Sequence, residues 1–391
     1  MIPFEEALGI VLDSARMLDS EPVDITRAVN RILTEDVKSD MDIPPFDRAV
    51  MDGYACRRED LANELTIIET IQAGTPPKKV IGPNQCTKIM TGAPVPKGAD
   101  CVVMVEFTEN PTDNTVRFIG EKTDDNIRPQ GEDIRTGQVV LSKGTRIKPQ
   151  HIAILASVGH TQVHVAKKPK VGVIATGDEL IEPQSKPNPG QLRNSNSYQL
   201  TAQLDSVGAA VTYYGIARDI DDDIDRTFKK AAAENNVVII SGGVSMGDFD
   251  LVPGILKQNN VELLFEKIAL KPGKPTVFGI SEKAYCFGMP GNPVSTFAVF
   301  ELIVKPFLYR LMGHAYALPN VKMPLAESIK RRDTERREWL PITITDTGTL
   351  KHIEYHGSGH IDALRTADGL VCMDVGVAEI PKGTVVRVML I

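Results

Sequence analysis

The sequence contains no Cys-x-x-Cys pair. Its five cysteines, at 56, 86, 101, 286 and 372, are odd in number and scattered, which points to a reducing compartment rather than a disulfide framework. A basic excess is also missing: 44 Lys and Arg stand against 51 Asp and Glu, a net charge of -7. General nucleic-acid binding is thereby disfavoured, while a local basic pocket for an anionic small molecule is not. No apolar run approaches the ~20 residues of a membrane helix, and the opening MIPFEEALGI has acids where a secretory leader is basic. The expectation is a cytoplasmic protein with no membrane or nucleic-acid partner. There is no Walker A pattern, no Gly-x-Gly-x-x-Gly after a strand and no nucleophile elbow, so any phosphate chemistry must use another kind of loop.

What is present centres on 237–250, VVIISGGVSMGDFD. Val237, Val238, Ile239 and Ile240 predict a strand buried on both faces, the kind found in parallel sheets covered by helices. The loop that follows holds Ser245 and three glycines, Gly242, Gly243 and Gly247, and the glycines permit left-handed backbone and close approach of amides to an anion. Asp248 and Asp250 then add carboxylates, which suit a phosphate carrying a divalent cation. The other reading is a surface turn with spare glycines.

At 391 residues the chain fits roughly two to four domains. Residues 3 to 18 predict a packing helix. The segment 41–57 is irregular, with Asp42, Asp47 and Asp52 in a loop where binding residues concentrate. From 64 to 120 short strands divided by turns predict a small all-β domain, followed by a polar loop with Arg128, Glu132 and Asp133. Lys-Gly before a strand recurs at 97–98, 143–144 and 382–383, read as turn chemistry rather than a repeat. Residues 149–158 predict a helix stopped by Gly159. His160 and His164 fall in an alternating stretch expected to be a strand, not a metal face.

From 171 strands alternate with helices: Asn194 to Val207 predicts a helix with Asn or Ser caps and Gly208 beyond it, and the three aspartates opening the next helix, Asp221, Asp222 and Asp223, are read as capping and dipole compensation. A long helix from Pro293 to about Met312 is expected to kink at Pro306. This grammar predicts a doubly wound parallel sheet, in which ligands sit outside the carboxyl ends of the strands. The loops ATGDEL, RD, SGGVSMGDFD, KPGKP and GMPGNP should therefore converge. They would bring together Asp178, Glu179, Asp219, Asp248 and Asp250 with Lys267, Lys271 and Lys274. Acids that hold a metal beside lysines that neutralise phosphate oxygens are what a Mg²⁺-dependent phosphate reaction needs. In GMPGNP, Pro290, Gly291 and Pro293 stiffen a helix start whose amides could take an anion, or which is simply a packed turn. After 317 strands return, and His352, His356 and His360 are interrupted by glycines, against a helical metal face.

The motifs MDGYA (51–55), IMTGAPVPKGAD (89–100), GEDI (131–134), TGDEL, SGGVSMGDFD, KPGKP and GMPGNPVS occur in the order seen in the molybdopterin molybdenumtransferases, which the chain resembles over nearly its whole length. That family includes the E domain of gephyrin. The resemblance implies an α/β multidomain protein with a doubly wound domain (167–316) similar to molybdopterin adenylyltransferases. It further implies an all-β insert (44–131), a discontinuous N-terminal linking domain (1–43 with 132–166) and a C-terminal β domain (317–391).

The implied reaction binds adenylylated molybdopterin and molybdate, hydrolyses the adenylyl phosphate bond with Mg²⁺ and places molybdenum on the dithiolene. By motif, the implied catalytic residues are Asp52, Thr91, Asp133, Glu179, Lys267 and Lys271. Substrate would be held by Arg128, Asp178, Asp219, Gly242, Gly243, Ser245, Asp250, Lys274, Pro290, Pro293 and Ser358, and metal by Asp178, Glu179 and Asp250. Asp248 stands where some members have Glu, which keeps the charge. An elongated homodimer with an inter-subunit site is implied, with Asp52 and Thr91 acting across it, which would account for acids in 44–135 that have no obvious partners in the sequence. Contacts with molybdopterin adenylyltransferase and recipient molybdoenzymes are possible in such a family. The alternatives are molybdopterin adenylyltransferase activity and a non-catalytic scaffold of the same fold.

Overall fold

A computed structural model describes residues 1–244 and 251–391, so the expectations for Ser245, Asp248 and Asp250 lie outside the described residues. The β-branched run forms the strand Val237–Ser241, every residue of which is buried. Because side chains alternate across a strand, Val237 and Ile239 enter the core on one face and Val238 and Ile240 the core on the other. The first core is closed by the helices Asn196–Val207, Pro293–Val299 and Lys305–Leu311 and by the N-terminal helix Phe4–Ser14, the second by Asp221–Glu234 and Val252–Gln258. Helices on both faces confirm the doubly wound architecture.

Six strands cross this sheet in the order Ala210–Ala217, Lys170–Thr176, Val237–Ser241, Tyr285–Met289, Val277–Ile280, Glu262–Phe265. The expectation of a wholly parallel sheet is corrected at one strand: Val277–Ile280 runs antiparallel to both neighbours. The connection 281–284 is a tight turn, with Ser281 N–H donating to Ala284 O, and a turn of that length can only join antiparallel strands. The KPGKP loop, which leads into this reversed strand, therefore still arrives at the rim where its neighbours end.

A second correction concerns Pro306. The long helix is interrupted by a π-helical turn at Phe300–Val304, just before that proline. The wider turn absorbs the hydrogen bond that Pro306 cannot donate.

The insert is a six-stranded sheet in the order Cys101–Met104, Gly53–Cys56, Gln85–Ile89, Glu64–Ile71, Thr115–Phe118, Thr108–Thr112. Cysteines scattered in sequence meet here, since Cys56 is directly opposite Cys86 on one neighbouring strand and Cys101 on the other. Burial pushes the thiols of Cys86 and Cys286 up to about 12, so little thiolate is present near neutrality. Iodoacetamide at pH 8 should leave Cys86 and Cys286 unmodified in the native protein and alkylate all five cysteines once it is unfolded, read by intact mass.

Residues flanking the insert close on each other: Ser20–Asp24 pairs with Gln162–Ala166 and Val37–Lys38 with Val139–Leu141, around a core that includes Leu33, Ile147 and Leu155. His164 is in the expected strand, but His160 precedes it and its Nε2 meets Lys38 O. The glycines of the Lys-Gly turns, Gly98, Gly144 and Gly383, all have positive φ, as turn chemistry requires.

The C-terminal sheet runs Leu270–Lys271, Arg337–Ile344, Gly369–Met373, Val385–Leu390, Asn320–Pro324. Its first strand comes from the KPGKP arm, so the two units share a piece of chain. No helix among the described residues is long and apolar enough to cross a membrane.

Candidate active site

Each loop at the rim is shaped by its own sequence. The buried strand Lys170–Thr176 ends at Gly177, whose φ is +143°. A Cβ there would meet the Glu179 carboxylate at 2.5 Å, so glycine lets Glu179 fold back over the strand end. Asp178 and Asp219 lock the first two loops together: each backbone N–H donates to the other's carboxylate, at 3.3 and 3.2 Å. Gly242 and Gly243 follow the central strand with φ of +101° and +64°. Gly242 N–H donates to Met289 O, which ties the glycine loop to the start of GMPGNP.

Asn196, at the start of its helix, bridges the same two loops, its amide donating to Ser241 Oγ (2.9 Å) and Gly291 O (2.8 Å). Sequence reasoning took the asparagines of 194–196 only as helix caps. Asn194 does accept from Ser197 N–H, whereas Asn196 fastens the rim.

These loops enclose a cavity of about 600 Å³ lined by Thr176, Gly177, Glu179, Arg193, Asn196, Asp219, Gly242, Gly243, Pro290 and Pro293 among others, two carboxylates against one guanidinium. At its edge Thr176 Oγ1 and Asn196 Oδ1 are buried and have no hydrogen-bond partner among the described residues. Buried polar atoms are rarely left unpaired without a ligand or water to meet them. Carboxylates and orphan polar groups over a glycine floor suit a polar, phosphate-bearing guest.

A second cavity of about 480 Å³ adjoins the first across a shared wall of Pro275, Pro290, Gly291 and Asn292. Its lining is of opposite character: Lys271, Lys274 and Arg336, with Ser295, Tyr355 and Ser358. The wall is fixed by the C-terminal unit, because Asn292 Nδ2 donates to Ser358 Oγ (2.8 Å) and Val294 N–H to Ser358 O (3.1 Å). The expectation of free first-turn amides at Pro293 is thus corrected for Val294, whose N–H is already taken. Asn292 likewise serves as a strut to Ser358 and makes no side-chain cap. Burial, with the Glu338 carboxylate nearby, pushes the Tyr355 hydroxyl up to about 12, so it stays a neutral donor at neutral pH.

The structure therefore gathers Glu179, Asp219, Gly242, Gly243, Pro290 and Pro293 in one cavity and Lys271, Lys274 and Ser358 in its neighbour, with Asp178 bonded to the first cavity's Asp219. Lys267 lines neither, because it precedes the strand that carries Lys271; its carbonyl accepts from Ile2 N–H. None of His352, His356 and His360 lines them either. Among the described residues no group of three metal-binding side chains is preassembled.

Within one chain the insert residues line neither cavity, and acids with no obvious partner in the sequence have local ones in the fold. Thr91 donates from its N–H (2.6 Å) and hydroxyl (2.7 Å) to Asp52 Oδ1, and these bonds hold the Asp52 carboxyl below the usual range. Arg128 pairs with Glu132 (3.0 Å) and Asp133 (3.7 Å). Arg336, Tyr355 and Asn196 were missed in the sequence, the first because RRDTERR reads as a solvated charge run.

Three family models match in succession: the MoeA N-terminal region (domains I and II) over 2–159, a probable molybdopterin-binding domain over 172–310, and the MoeA C-terminal region (domain IV) over 322–391. The molybdopterin molybdenumtransferases of Staphylococcus epidermidis RP62A and Staphylococcus aureus Mu50 are each 36% identical to this chain over 400 residues, covering 100% of it and 95% of their own length. A crystal structure of the molybdopterin biosynthesis moeA protein from Pyrococcus horikoshii OT3 is 34% identical, with a TM-score of 0.87 and 100% of both chains covered. By identity sustained along its entire length and by three family models in order, the chain belongs to the MoeA family of molybdopterin molybdenumtransferases.

Proposed function

We propose that this chain inserts molybdenum from molybdate into molybdopterin, hydrolysing adenylylated molybdopterin and releasing AMP. The observation that carries the reading is the pair of adjoining cavities with a common wall, one lined by more carboxylates than cations and the other by Lys271, Lys274 and Arg336. The acidic, glycine-floored cavity would take the pyrophosphate of the adenylylated pterin, with Thr176 Oγ1 and Asn196 Oδ1 meeting its polar groups. The basic one would take the molybdate oxyanion, with Lys271, Lys274 and Arg336 balancing its charge and Ser358 and Tyr355 donating hydrogen bonds.

A magnesium ion fits the acidic side. Mg²⁺ typically keeps several waters and binds through one or two carboxylates plus substrate phosphates rather than a protein cage, and Asp178, Glu179 and Asp219 supply hard oxygen donors without a preassembled cluster. Bound there, it would neutralise phosphate oxygens as charge moves onto the leaving group. Glu179 would orient the water whose addition across the phosphoanhydride yields AMP and molybdopterin. Lys267, Asp250 and Ser245 belong to the proposed substrate site by motif.

Asp52, Thr91, Arg128 and Asp133 acquire a role if a second copy brings its insert to these cavities, so a cytoplasmic homodimer is part of the proposal. So is the four-domain division at 43/44, 131/132, 166/167 and 316/317, and contact with a molybdopterin adenylyltransferase and with recipient molybdoenzymes. Purified protein given adenylylated molybdopterin, Mg²⁺ and molybdate should release AMP together with molybdenum cofactor able to restore a cofactor-free molybdoenzyme. No AMP would favour a scaffold, and consumption of ATP with bare molybdopterin would favour an adenylyltransferase.

A further inference from the structure

We infer that Glu338, on the C-terminal unit, is a positioning residue that sets where the Lys271 ammonium lies in the basic cavity and so governs oxyanion affinity. The inference rests on the reading of that cavity as the oxyanion site.

Glu338 is only 4% exposed, and a buried carboxylate is costly unless paired. Its partner on the cavity side is Lys271, with Nζ at 2.9 Å from Oε1. On its far side Oε2 faces Arg331 Nη1 at 3.6 Å and has no hydrogen bond of its own among the described residues. Arg331 is itself immobilised. Its Nε donates to Val377 O and its Nη1 to Arg336 O, each at 2.7 Å, and its Nη2 donates to Asp374 O.

The backbones are in register as well, since Lys271 lies directly opposite Glu338 where Leu270–Lys271 joins Arg337–Ile344 in parallel. Lys271 is thus fixed at both its main chain and its charge by one residue of another unit. A lysine stem has ~2 kcal/mol of rotamer entropy to lose. With the carboxylate in place that loss is taken at folding, and the ammonium already faces the cavity when the anion arrives.

The arrangement also tunes charge. Lys271, Lys274 and Arg336 line the cavity, and Asp333 pairs with Arg336 at 3.3 Å. Glu338 offsets part of this positive field, and fixing the Lys271 ammonium outweighs that offset. His352, held neutral by burial, and Tyr355 also feel Glu338.

The test is direct binding of molybdate to the full chain by titration calorimetry, without pterin, combined with steady-state AMP release. Wild type should bind molybdate. Glu338→Gln, of nearly the same shape, should weaken binding about tenfold, the loss expected for a charge-assisted contact, and raise the molybdate KM similarly with little change in kcat. Glu338→Asp should recover part of the affinity. Lys271→Met should lose affinity too, and Lys271→Met with Glu338→Gln should be no worse than Lys271→Met alone, because one residue acts through the other. Equal or tighter binding by Glu338→Gln, or additive losses, would overturn the inference. Absence of molybdate binding by the folded wild type would instead overturn the reading of the cavity. Should Glu338→Gln fail to fold, Glu338→Asp and its cycle with Lys271→Met decide the question.

Discussion

Glu179→Gln should lower the rate of AMP release from adenylylated molybdopterin by about 10²- to 10³-fold, the loss typical when a single charged contact to a transition state is removed. Glu179 folds over Gly177 at the end of a buried strand. Gln keeps that shape and removes only the negative charge that would orient water or share a cation. The melting temperature should therefore stay where it is, and so should binding of molybdate, for which the neighbouring cavity is proposed. Rapid-quench measurement of AMP formation at saturating substrate checks the first part, and calorimetry the second. A folded Glu179→Gln protein that releases AMP at the wild-type rate would remove Glu179 from the chemistry.

Gly242→Ala should have the largest effect on stability among changes at the site. At φ +101° an alanine is strained whatever the space, and here there is no space. A Cβ would stand 2.5 Å from Thr176 O and 2.8 Å from Thr176 Oγ1. Backbone strain and overpacking together amount to about 2–4 kcal/mol. Urea unfolding should show the midpoint shifted by a corresponding amount. The same methyl would fill the floor of the acidic cavity, so binding of the adenylylated pterin should fall even in the folded fraction. Gly291→Ala is the contrasting case: its φ is not positive and its Cβ would meet only Gly242 Cα, at 3.9 Å.

How much of this was legible in the residues depends on distance along the chain. Periodicity located the central strand, the helix Asp221–Glu234 and the helix stopped by Gly208, because those signals are local and each is read within one element. Glycines followed by acids marked Gly177–Glu179 and Gly242 correctly as rim loops. The reversal of Val277–Ile280 was hidden in a short connection that periodicity does not weigh. The π turn at Phe300–Val304 leaves the apolar pattern of a helix intact, so only Pro306 seemed significant. Asn196, Arg336 and Glu338 were beyond reach for a different reason. Asn196 meets Ser241 and Glu338 meets Lys271, partners far along the chain that only folding brings together, and Arg336 comes to line a cavity with Lys271 in the same way. Charged residues in RRDTERREW offer no local sign of which one turns inward. The insert erred in the other direction: Asp52 looked partnerless only because Thr91 is brought to it by folding, whereas Arg128 pairs with the Glu132 and Asp133 that stand beside it in the sequence.

The strand Leu270–Lys271 has its hydrogen-bonding neighbour in Arg337–Ile344, and that bears on the order in which a nascent chain is finished. The acidic pocket draws on residues up to 293 together with Gly359 and Ile361. The basic pocket needs Arg336, Tyr355 and Ser358, which leave the ribosome last. Since domains generally fold as they emerge, N-terminal first, a growing polypeptide can lay down the carboxylates and glycine floor of the acidic pocket before the basic one exists, and the wall between them is fastened only when Ser358 reaches Asn292.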